Sequence, residues 1–251
     1  MRPERRALGR LLALQGAWNY ERMQGIGMGW AAEPLLQDLR EADPARWHDA
    51  TVRSAEFFNA HPYLAGLALG ATVRAEYDAI PGDQVGRLRT ALCGPLGALG
   101  DQLFWAGLLP ALVGLALLGV AFGVPGIAVG SLLVVYNGVR LATTAWGLRT
   151  GLREGLDLGR AIRESWLNEA AHRVGRIAGL VVGAAVPVTA AWLAGGLRTS
   201  AGYTAVAVGL VGIVLARLRP TWFTGLRYGL MLIAALALLT LVRFTFDRFL
   251  A

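Results

Sequence analysis

Apolar and charged positions divide the chain near residue 90, and the second part carries the longer apolar runs. Residues 102–139 include no charged side chain, and Asp101 and Arg140 stand at the two ends of this run. An α-helix crosses the hydrocarbon core of a bilayer with roughly 20 apolar residues, so the run is too long for one helix. A turn-forming Gly-Val-Pro-Gly sequence begins at Gly123. We therefore predict two membrane-spanning helices, at about 103–122 and 127–148.

Three further apolar runs follow a charged connector at 149–176. They cover residues 177–197, 199–216 and 228–242. The last run is short, and it spans only if Arg227 and Arg243 at its ends reach toward the headgroups. Together the runs predict an all-α, polytopic helical membrane protein with about five apolar spans or re-entrant hairpins, in which residues 91–251 form the membrane-embedded domain. A hairpin that enters and leaves on one side at about 94–110 is an alternative to a first full span.

The first 90 residues have no run long enough to span a bilayer and show amphipathic helical spacing instead. Leu8, Leu11, Leu12 and Gln15 recur at the helical period. The predicted helices run from Arg5 to about Gln24, over about 46–58, and from Tyr63 to about Tyr77, where Pro81-Gly82 closes the last one. We expect this N-terminal region, residues 1–90, to lie in the cytoplasm or on the membrane surface.

The arginines predict how these helices are oriented. The chain has a formal net charge of +7, and all 24 basic residues are arginine. With residues 1–101 in the cytoplasm, the connector 149–176 and the loop 217–227 bring nine arginines to the cytoplasmic side, against three on the other side. The positive-inside rule then predicts a cytoplasmic N-terminus and an external C-terminus in the cell inner membrane. The excess of arginine thus indicates membrane orientation and not binding of nucleic acid.

Composition also excludes several kinds of chemistry. Cys93 is the only cysteine, so neither a disulfide nor a cysteine-based metal cluster can form within one chain. The absence of lysine excludes Schiff-base catalysis. The sequence has no zinc-protease, nucleophile-elbow or phosphate-loop motif. We therefore expect no catalytic residue, no metal and no cofactor.

Several segments resemble, in order and spacing, a known family of membrane proteins. They are Trp18-Asn19-Tyr20-Glu21-Arg22-Met23-Gln24, Glu56-Phe57-Phe58-Asn59-Ala60-His61-Pro62-Tyr63-Leu64, Gly94-Pro95-Leu96-Gly97-Ala98-Leu99-Gly100-Asp101-Gln102-Leu103-Phe104-Trp105, Tyr136-Asn137-Gly138-Val139-Arg140 and Pro220-Thr221-Trp222. The family is the IID membrane component of mannose/fructose/sorbose-type sugar phosphotransferase systems (PTS), and the resemblance covers nearly the whole chain. The sequence differs from the family at Ala60, where threonine is usual, and at Gln102, where a small residue is usual.

The resemblance implies a transport subunit and not the catalyst of phosphotransfer. In the family, IID associates with a IIC membrane subunit to form the sugar translocation unit. Soluble IIA and IIB components relay phosphate to the hexose as it enters, and they carry the phosphorylated histidines. The implied partners are therefore IIC, IIA/IIB, a hexose and membrane lipid, with no nucleic acid.

The candidates for substrate binding or gating are polar residues within these segments. They are Asp101, Asn59, His61, Asn137 and Arg140. Asp101, at the mouth of the first apolar run, is placed to accept hydrogen bonds from sugar hydroxyls. The glycines and the proline of residues 94–100 favour irregular backbone beside a cavity. The alternative is that Asp101 caps a helix that begins at Gln102.

The remaining candidates also have structural alternatives. Asn59-Ala60-His61-Pro62 is a natural helix stop, so His61 is either a site residue or a satisfied polar residue. Asn137 and Arg140 are three residues apart and share one face of a helix. They either pair with Asp101 across the bundle, which would neutralise its charge, or contact the sugar directly.

Two further sets of residues are predicted to form packing or partner surfaces. They are Trp18, Asn19, Tyr20 and Gln24 in the first predicted helix, and Gly175, Gly179 and Gly183 in the second half of the chain. The first set falls within about two helical turns. The glycines recur at every fourth position and form a stripe that a neighbouring helix can approach closely.

Two other functions are open at this point. One is an orphan IID-like membrane protein with a regulatory or partner-docking role and no transport, which Gln102 and the arginine-rich connector favour. The other is an autonomous transporter or a membrane enzyme, and the missing catalytic motifs count against an enzyme.

Overall fold

The computed structural model describes residues 3–193, which are helical and contain no β-strand. The helices are α1 (Pro3–Leu12), α2 (Gly25–Ala32), α3 (Gln37–Ala42), α4 (Pro44–Ser54), α5 (Ala65–Tyr77), α6 (Gly82–Gly100), α7 (Leu109–Ala121), α8 (Pro125–Glu154), α9 (Leu158–Glu164) and α10 (Trp166–Leu193). Short 3₁₀ turns lie at Leu14–Ala17, Glu33–Leu35 and Gly155–Asp157, and Asp101–Leu108 is a π-helix. The predicted all-α class is confirmed. The predicted runs 199–216 and 228–242 lie outside the described residues.

Contacts between residues group the chain into two units. Unit 1 comprises Met1–Ala106 and Val135–Arg173, and unit 2 comprises Gly107–Val134 and Val174–Ala251. In unit 2, α7 and α10 pack closely, because a Cβ on Gly114 would lie 2.8 Å from Cγ1 of Val181. The predicted boundary near residue 90 concerns which residues lie in the membrane, and it stays a prediction.

Two helical stretches of the described chain are long and apolar enough to cross a membrane. They are Gly82–Ala121 and Pro125–Leu193. The predicted turn between the first two apolar runs is present between α7 and α8, where Gly123 has a φ of 83°. That left-handed conformation favours glycine because it has no Cβ. The predicted start near residue 103 is wrong, since the first stretch begins at Gly82 and accommodates Pro95 within α6.

The first predicted helix is wrong beyond Leu12, where α1 ends. The segment Trp18–Gln24 is a loop, in which Oδ1 of Asn19 accepts hydrogen bonds from the backbone N–H groups of Glu21 (3.1 Å) and Arg22 (2.8 Å). An asparagine side chain that bonds neighbouring backbone in this way competes with helix formation. The aromatic residues of this segment are therefore presented by a folded loop.

The second predicted helix is shorter than expected, whereas the third is confirmed. The second is α4, which ends at Ser54 and not near residue 58. The chain that follows is tied to α6, because the guanidinium of Arg89 donates to the carbonyls of Glu56 (2.8 Å) and Phe57 (3.3 Å). The third is α5, close to its predicted range of 63–77.

Glycines let α5 and α8 approach closely in the centre of unit 1. A Cβ on Gly70 of α5 would lie 2.5 Å from the backbone of both Leu148 and Leu152 on α8. A Cβ on Gly151 of α8 would in turn collide with the carbonyl oxygen of Leu67 on α5. Neither helix has room for a side chain at these positions, so the two backbones are in direct contact.

A buried ion triad joins α4 to the end of α5. Glu76 is 2% exposed and pairs with Arg46 at 3.0 Å and Arg53 at 2.8 Å. Arg46 also donates to the carbonyls of Glu76 (2.7 Å) and Ile80 (2.6 Å). The triad therefore fixes the turn that leads into α6.

Candidate functional site

Asp101 lies inside a continuous helical stretch and not at the start of a helix. Its backbone is helical (φ −62°, ψ −43°), with α6 before it and the rest of the π-helix after it. The alternative in which Asp101 caps a helix starting at Gln102 is therefore wrong. The predicted irregular backbone over residues 94–100 is also wrong, because these residues belong to α6. The departure from α-helical geometry begins one residue later, as a π-helix, which is rare and often found at functional sites.

The π-helix carries an open depression on its exposed side. Asp101, Gln102, Trp105 and Ala106 line it, and its volume is about 620 Å³. The Trp105 side chain is 52% exposed. The amide Nε2 of Gln102 lies 3.5 Å from Nδ1 of His172 on α10. We call these four lining residues the Asp101 depression, and it brings a carboxylate, an amide and an indole together.

Behind the depression lies a cluster of rings, which we call the His61 cluster and define as His61, Tyr63, Phe104 and Tyr136. The His61 ring stacks on Phe104 with 5.0 Å between centroids and 12° between planes. Tyr63 meets both of these rings edge-on at 4.9 Å. The hydroxyl of Tyr136 on α8 donates to the hydroxyl of Tyr63 at 3.4 Å. The cluster thus joins the loop before α5, the π-helix and α8 within unit 1.

His61 is a buried, neutral imidazole in this cluster. Its side chain is 2% exposed, and its Nδ1 accepts a hydrogen bond from the backbone N–H of Tyr63 at 3.3 Å. The ring proton of the neutral form therefore sits on Nε2, which is buried and has no hydrogen-bond partner within residues 3–193. Burial disfavours the charged form and lowers the pKa of His61 from 6.5 to about 4.

Acidification is expected to destabilise the protein through His61. The pKa of this group is lower in the folded than in the unfolded state, so the unfolded state binds more protons between pH 6.5 and about 4. Stability is then complete above pH 6.5 and declines as the pH falls through this window, by about 1–2 kcal/mol between pH 7 and 5. Thermal unfolding in detergent micelles at both pH values measures the loss. His61→Phe should flatten this dependence, and an unchanged pH dependence in this variant would contradict the assignment to His61.

Arg140 does not form the predicted ion pair with Asp101. Nη2 of Arg140 donates to the carbonyl of Leu12 at 3.0 Å, and its guanidinium carbon lies 5.0 Å from the centre of the Tyr63 ring. Within residues 3–193, no ion pair joins Arg140 to Asp101. Arg140 therefore ties α8 to the end of α1, while Asn137 is exposed. A role for either residue in gating or substrate binding stays a prediction.

Gln24 connects the first two sequence segments physically. Its side chain is 3% exposed, and its Nε2 donates to the carbonyl of Ala60 at 2.7 Å. The backbone N–H of Ala60 donates back to Oε1 at 3.5 Å, and the N–H of Gln24 donates to the carbonyl of Phe58 at 2.9 Å. Asn59, between these contacts, is exposed. Gln24 thus acts as a clamp that fixes the backbone next to His61.

The other predicted surface residues are accessible. The rings of Trp18 and Tyr20 meet edge-on at 4.8 Å, and they are 43% and 87% exposed. A Cβ on Gly175 or Gly179 would meet no described atom within 4 Å, so these glycines are open on the described chain. Gly183 is half-buried. A partner role for both sets remains a prediction.

Sequence reasoning proposed Asp101 and His61 as candidates but did not predict the ring contacts between His61 and the π-helix. Phe104 and Trp105 belong to an apolar run and to a family segment, but neither shows which rings they contact. The available signal was spacing, because Asp101 and Trp105 are four residues apart and so share one side of a helix. Tyr63 and Tyr136 gave no such signal, because their contact depends on the packing of α8 against the loop before α5. Among the described residues, no group of three His, Cys, Asp or Glu side chains is placed to hold a metal ion.

Comparison with known proteins finds similar sequences among the IID components of sugar phosphotransferase systems. Residues 4–242 match the sequence profile of the PTS mannose/fructose/sorbose family IID component. The mannose-specific EIID component of Escherichia coli K12 is 31% identical over 179 residues, which cover 68% of this chain and 62% of that protein. The fructose permease IID component of Bacillus subtilis is 31% identical over 152 residues, covering 58% of this chain and 54% of the relative. The match thus spans less than two thirds of the length of these relatives.

Two solved structures share the fold. One, described as a membrane protein, is 28% identical with a TM-score of 0.64, and the match covers 73% of this chain and 69% of the other. The second, from the complex of the mannose transporter ManYZ with microcin E492, is 24% identical with a TM-score of 0.57 and covers 92% and 93%. These likenesses agree with the long apolar helices, so the chain is a membrane protein. Since the profile match covers nearly the whole chain, this protein belongs to the IID components of mannose/fructose/sorbose-family phosphotransferase systems.

Proposed function

We propose that this chain is the IID subunit of a mannose-family PTS permease. It forms the sugar translocation unit with a IIC membrane subunit, and the unit imports a hexose that is phosphorylated through soluble IIA and IIB components. The observation that carries this proposal is the family match over residues 4–242. The chain itself contributes no phosphorylated residue. In agreement, the His61 ring is 2% exposed and surrounded by aromatic rings, so a phosphocarrier has no access to it.

The Asp101 depression is the candidate sugar contact of this subunit. A carboxylate and an amide replace water around sugar hydroxyls, and an aromatic ring covers the apolar face of the sugar. Asp101 and Gln102 supply the polar groups, and the half-exposed Trp105 supplies the ring. The glutamine at position 102, which departs from the usual family residue, adds a hydrogen-bonding group here and would tune which hexose is accepted.

The proposed orientation is that of a multi-pass protein of the inner membrane. The arginine distribution supports a cytoplasmic N-terminal region and an external C-terminus. In this orientation the short helices α1–α4 face the compartment of IIA and IIB. Large apolar side chains on α7 and α8 are strongly exposed, with Ile127 at 74% and Val134 at 73%. Membrane lipid and the IIC subunit would cover this surface, because soluble proteins rarely expose large contiguous apolar patches to water.

Hexose uptake by cells that express the complete permease tests the proposal. The chain is expressed with its IIC, IIA and IIB partners in cells that lack a mannose-type system, and the accumulation of labelled hexose phosphates is measured. We expect uptake that depends on every subunit. We also expect Asp101→Asn to raise the KM for the hexose about tenfold or more, since a hydrogen bond to a charged group contributes about 1.5–3 kcal/mol.

Asp83→Asn is the matched control for this experiment. Asp83 lies near the start of α6, the helix that leads into Asp101, and its side chain is 64% exposed in an ion pair with Arg87. Uptake by this variant should equal that of the unchanged chain. A stable complex in the membrane without uptake of any hexose would overturn the transport proposal in favour of a regulatory, partner-docking protein.

A further inference from the structure

The position of His61 depends on the missing side chain of Gly100. A Cβ at Gly100 would overlap Cβ and Cγ of the His61 side chain, so the side chain occupies space that any other residue would fill. One turn earlier, a Cβ on Gly97 would have only Cα of Ala60 near it, at 4.0 Å. Gly100 and His61 therefore fit each other, whereas Gly97 has ordinary space around it. The contact lies immediately before the first residue of the π-helix.

The same ring also contacts two residues inside the π-helix. It stacks on Phe104, which is fully buried, and meets Trp105 edge-on with 5.9 Å between centroids. His61 thus contacts Gly100, which precedes the π-helix, and two rings within it, the buried Phe104 and the half-exposed Trp105. Aromatic pairs in such geometries contribute beyond the area that they bury.

His61 is itself held from the opposite side. The backbone N–H of Tyr63 occupies its Nδ1, and the Tyr63 ring packs edge-on against it. Gln24 clamps both polar backbone groups of the preceding residue, Ala60. The imidazole is therefore an anchored surface against which the π-helix rests, and not a side chain free to adjust to that helix.

The π-helix needs such support because its wide turns are rarely stable alone. Its hydrogen bonds run between residues five apart, not four as in an α-helix. In this register Leu103 and Phe104 are buried, while Asp101, Gln102 and Trp105 all face the depression. A return to α-helical bonding would keep Asp101 and Trp105 on one side of the helix but would turn the side chain at 106 away from Asp101 and so reshape the depression.

We infer that His61 is a positioning residue that holds the Asp101–Leu108 segment in its π register, so that Ala106 and Trp105 line the same depression as Asp101. The expected effect on sugar transport rests on the proposed function. The support that His61 gives to the π-helix does not depend on that function. His61 need not contact the sugar to fulfil this role. Its effect reaches the substrate through Phe104 and Trp105.

Cysteine labelling tests the register without any sugar. In a Cys93→Ser background, the cysteine introduced by Ala106→Cys reports on the depression, and the one introduced by Ala91→Cys reports on α6. Both native alanines are exposed. We expect His61→Ala and Gly100→Ala each to change the maleimide labelling rate at position 106 several-fold, and to leave the rate at 91 unchanged. Gly97→Ala should behave as the unchanged chain at both positions.

A double-mutant cycle separates this role from general destabilisation. His61→Gly removes both the Cβ and the ring that a Cβ at position 100 would strike, so Gly100→Ala should have little further effect in that background. His61→Phe keeps a stacking ring and should restore much of the labelling pattern that His61→Ala loses. Additive effects of the two changes, or labelling of Gly100→Ala that equals that of Gly97→Ala, would overturn the inference.

Transport measured on the same variants links the register to the substrate. Gly100→Ala should raise the KM for the hexose by about tenfold or more, because displacing a binding group by about 1 Å is already costly, with kcat little changed. Gly97→Ala should leave both constants as they are. If labelling changes as expected but no variant transports hexose, the positioning role stands and the transport proposal fails. If transport is normal in Gly100→Ala, the positioning role fails and the transport proposal stands.

Discussion

Replacing Glu76 by alanine is expected to lower the free energy of unfolding by about 3–5 kcal/mol. Glu76 is almost completely buried and compensates Arg46 and Arg53, whose side chains are only 20% and 18% exposed. Removing the carboxylate leaves two partly buried guanidinium groups without their counter-ion, and breaking a buried pair costs more than the pair contributes when intact. The loss should loosen the junction of α4, α5 and the turn into α6. Thermal unfolding of the purified chain in detergent micelles measures the effect.

The control for Glu76 is an exposed ion pair in the same unit. Asp83 and Arg87 are bonded at 2.8 Å, but their side chains are 64% and 70% exposed. Asp83→Ala should therefore shift the unfolding midpoint only slightly, because solvent screens such pairs. The double variant Glu76→Ala with Arg53→Ala should lose less than the sum of the single changes. Equal midpoints for Glu76→Ala and Asp83→Ala would contradict the buried-triad interpretation.

The second large effect is expected at the contact of α5 with α8. Gly151→Leu should destabilise unit 1 by about 3 kcal/mol or more, because overpacking that forces backbone apart lies at the upper end of such costs. The Cβ alone would collide with the carbonyl of Leu67 and lie 2.8 Å from the backbone nitrogen of Ala71. These neighbours are main-chain atoms, so they cannot move aside by changing a rotamer. The variant should accumulate poorly in membranes and unfold at a lower temperature.

Gly138 on the same helix is the matched control. A Cβ there would meet nothing within 4 Å. Gly138→Leu should therefore be neutral or slightly stabilising, since glycine inside a helix costs roughly 0.5–1 kcal/mol relative to alanine. The two substitutions are chemically identical and lie on one helix, so only their surroundings differ. Similar losses at both positions would show that α5 and α8 do not pack as described.

Much of the helical architecture could be predicted from the sequence because its signals are local. The turn at Gly123 and the extent of α5 follow from proline, glycine and apolar spacing, which act within a few residues. The loop at Asn19 was missed because an asparagine side chain bonds the backbone there in preference to continuing the helix. The π-helix was missed because its support comes from His61, forty residues earlier in the chain. No periodicity within residues 101–108 reveals that contact.

The candidate site could be predicted in part for the same reason. Asp101 stands out as a charge beside an apolar run, and the family segments point to His61. The partners of Arg140 could not be predicted from local sequence. Its positive charge led us to expect a carboxylate, but in the structure the guanidinium contacts the carbonyl of Leu12 and the ring face of Tyr63. Neutral groups can serve a half-buried guanidinium, because a carbonyl accepts its hydrogen bond and an aromatic face attracts its charge.

The hydrogen bonds of Gln24 constrain the residue type at position 24 but not at position 60. Gln24 bonds only the carbonyl and the amide of residue 60, and it has no bond to the side chain there. The position can therefore exchange threonine for alanine, as it does in this chain, without disturbing the loop that carries His61. Position 24 has no such freedom, because only a side chain with both an amide donor and an amide acceptor at that reach satisfies the two backbone groups. We therefore expect position 60 to tolerate substitutions that position 24 does not.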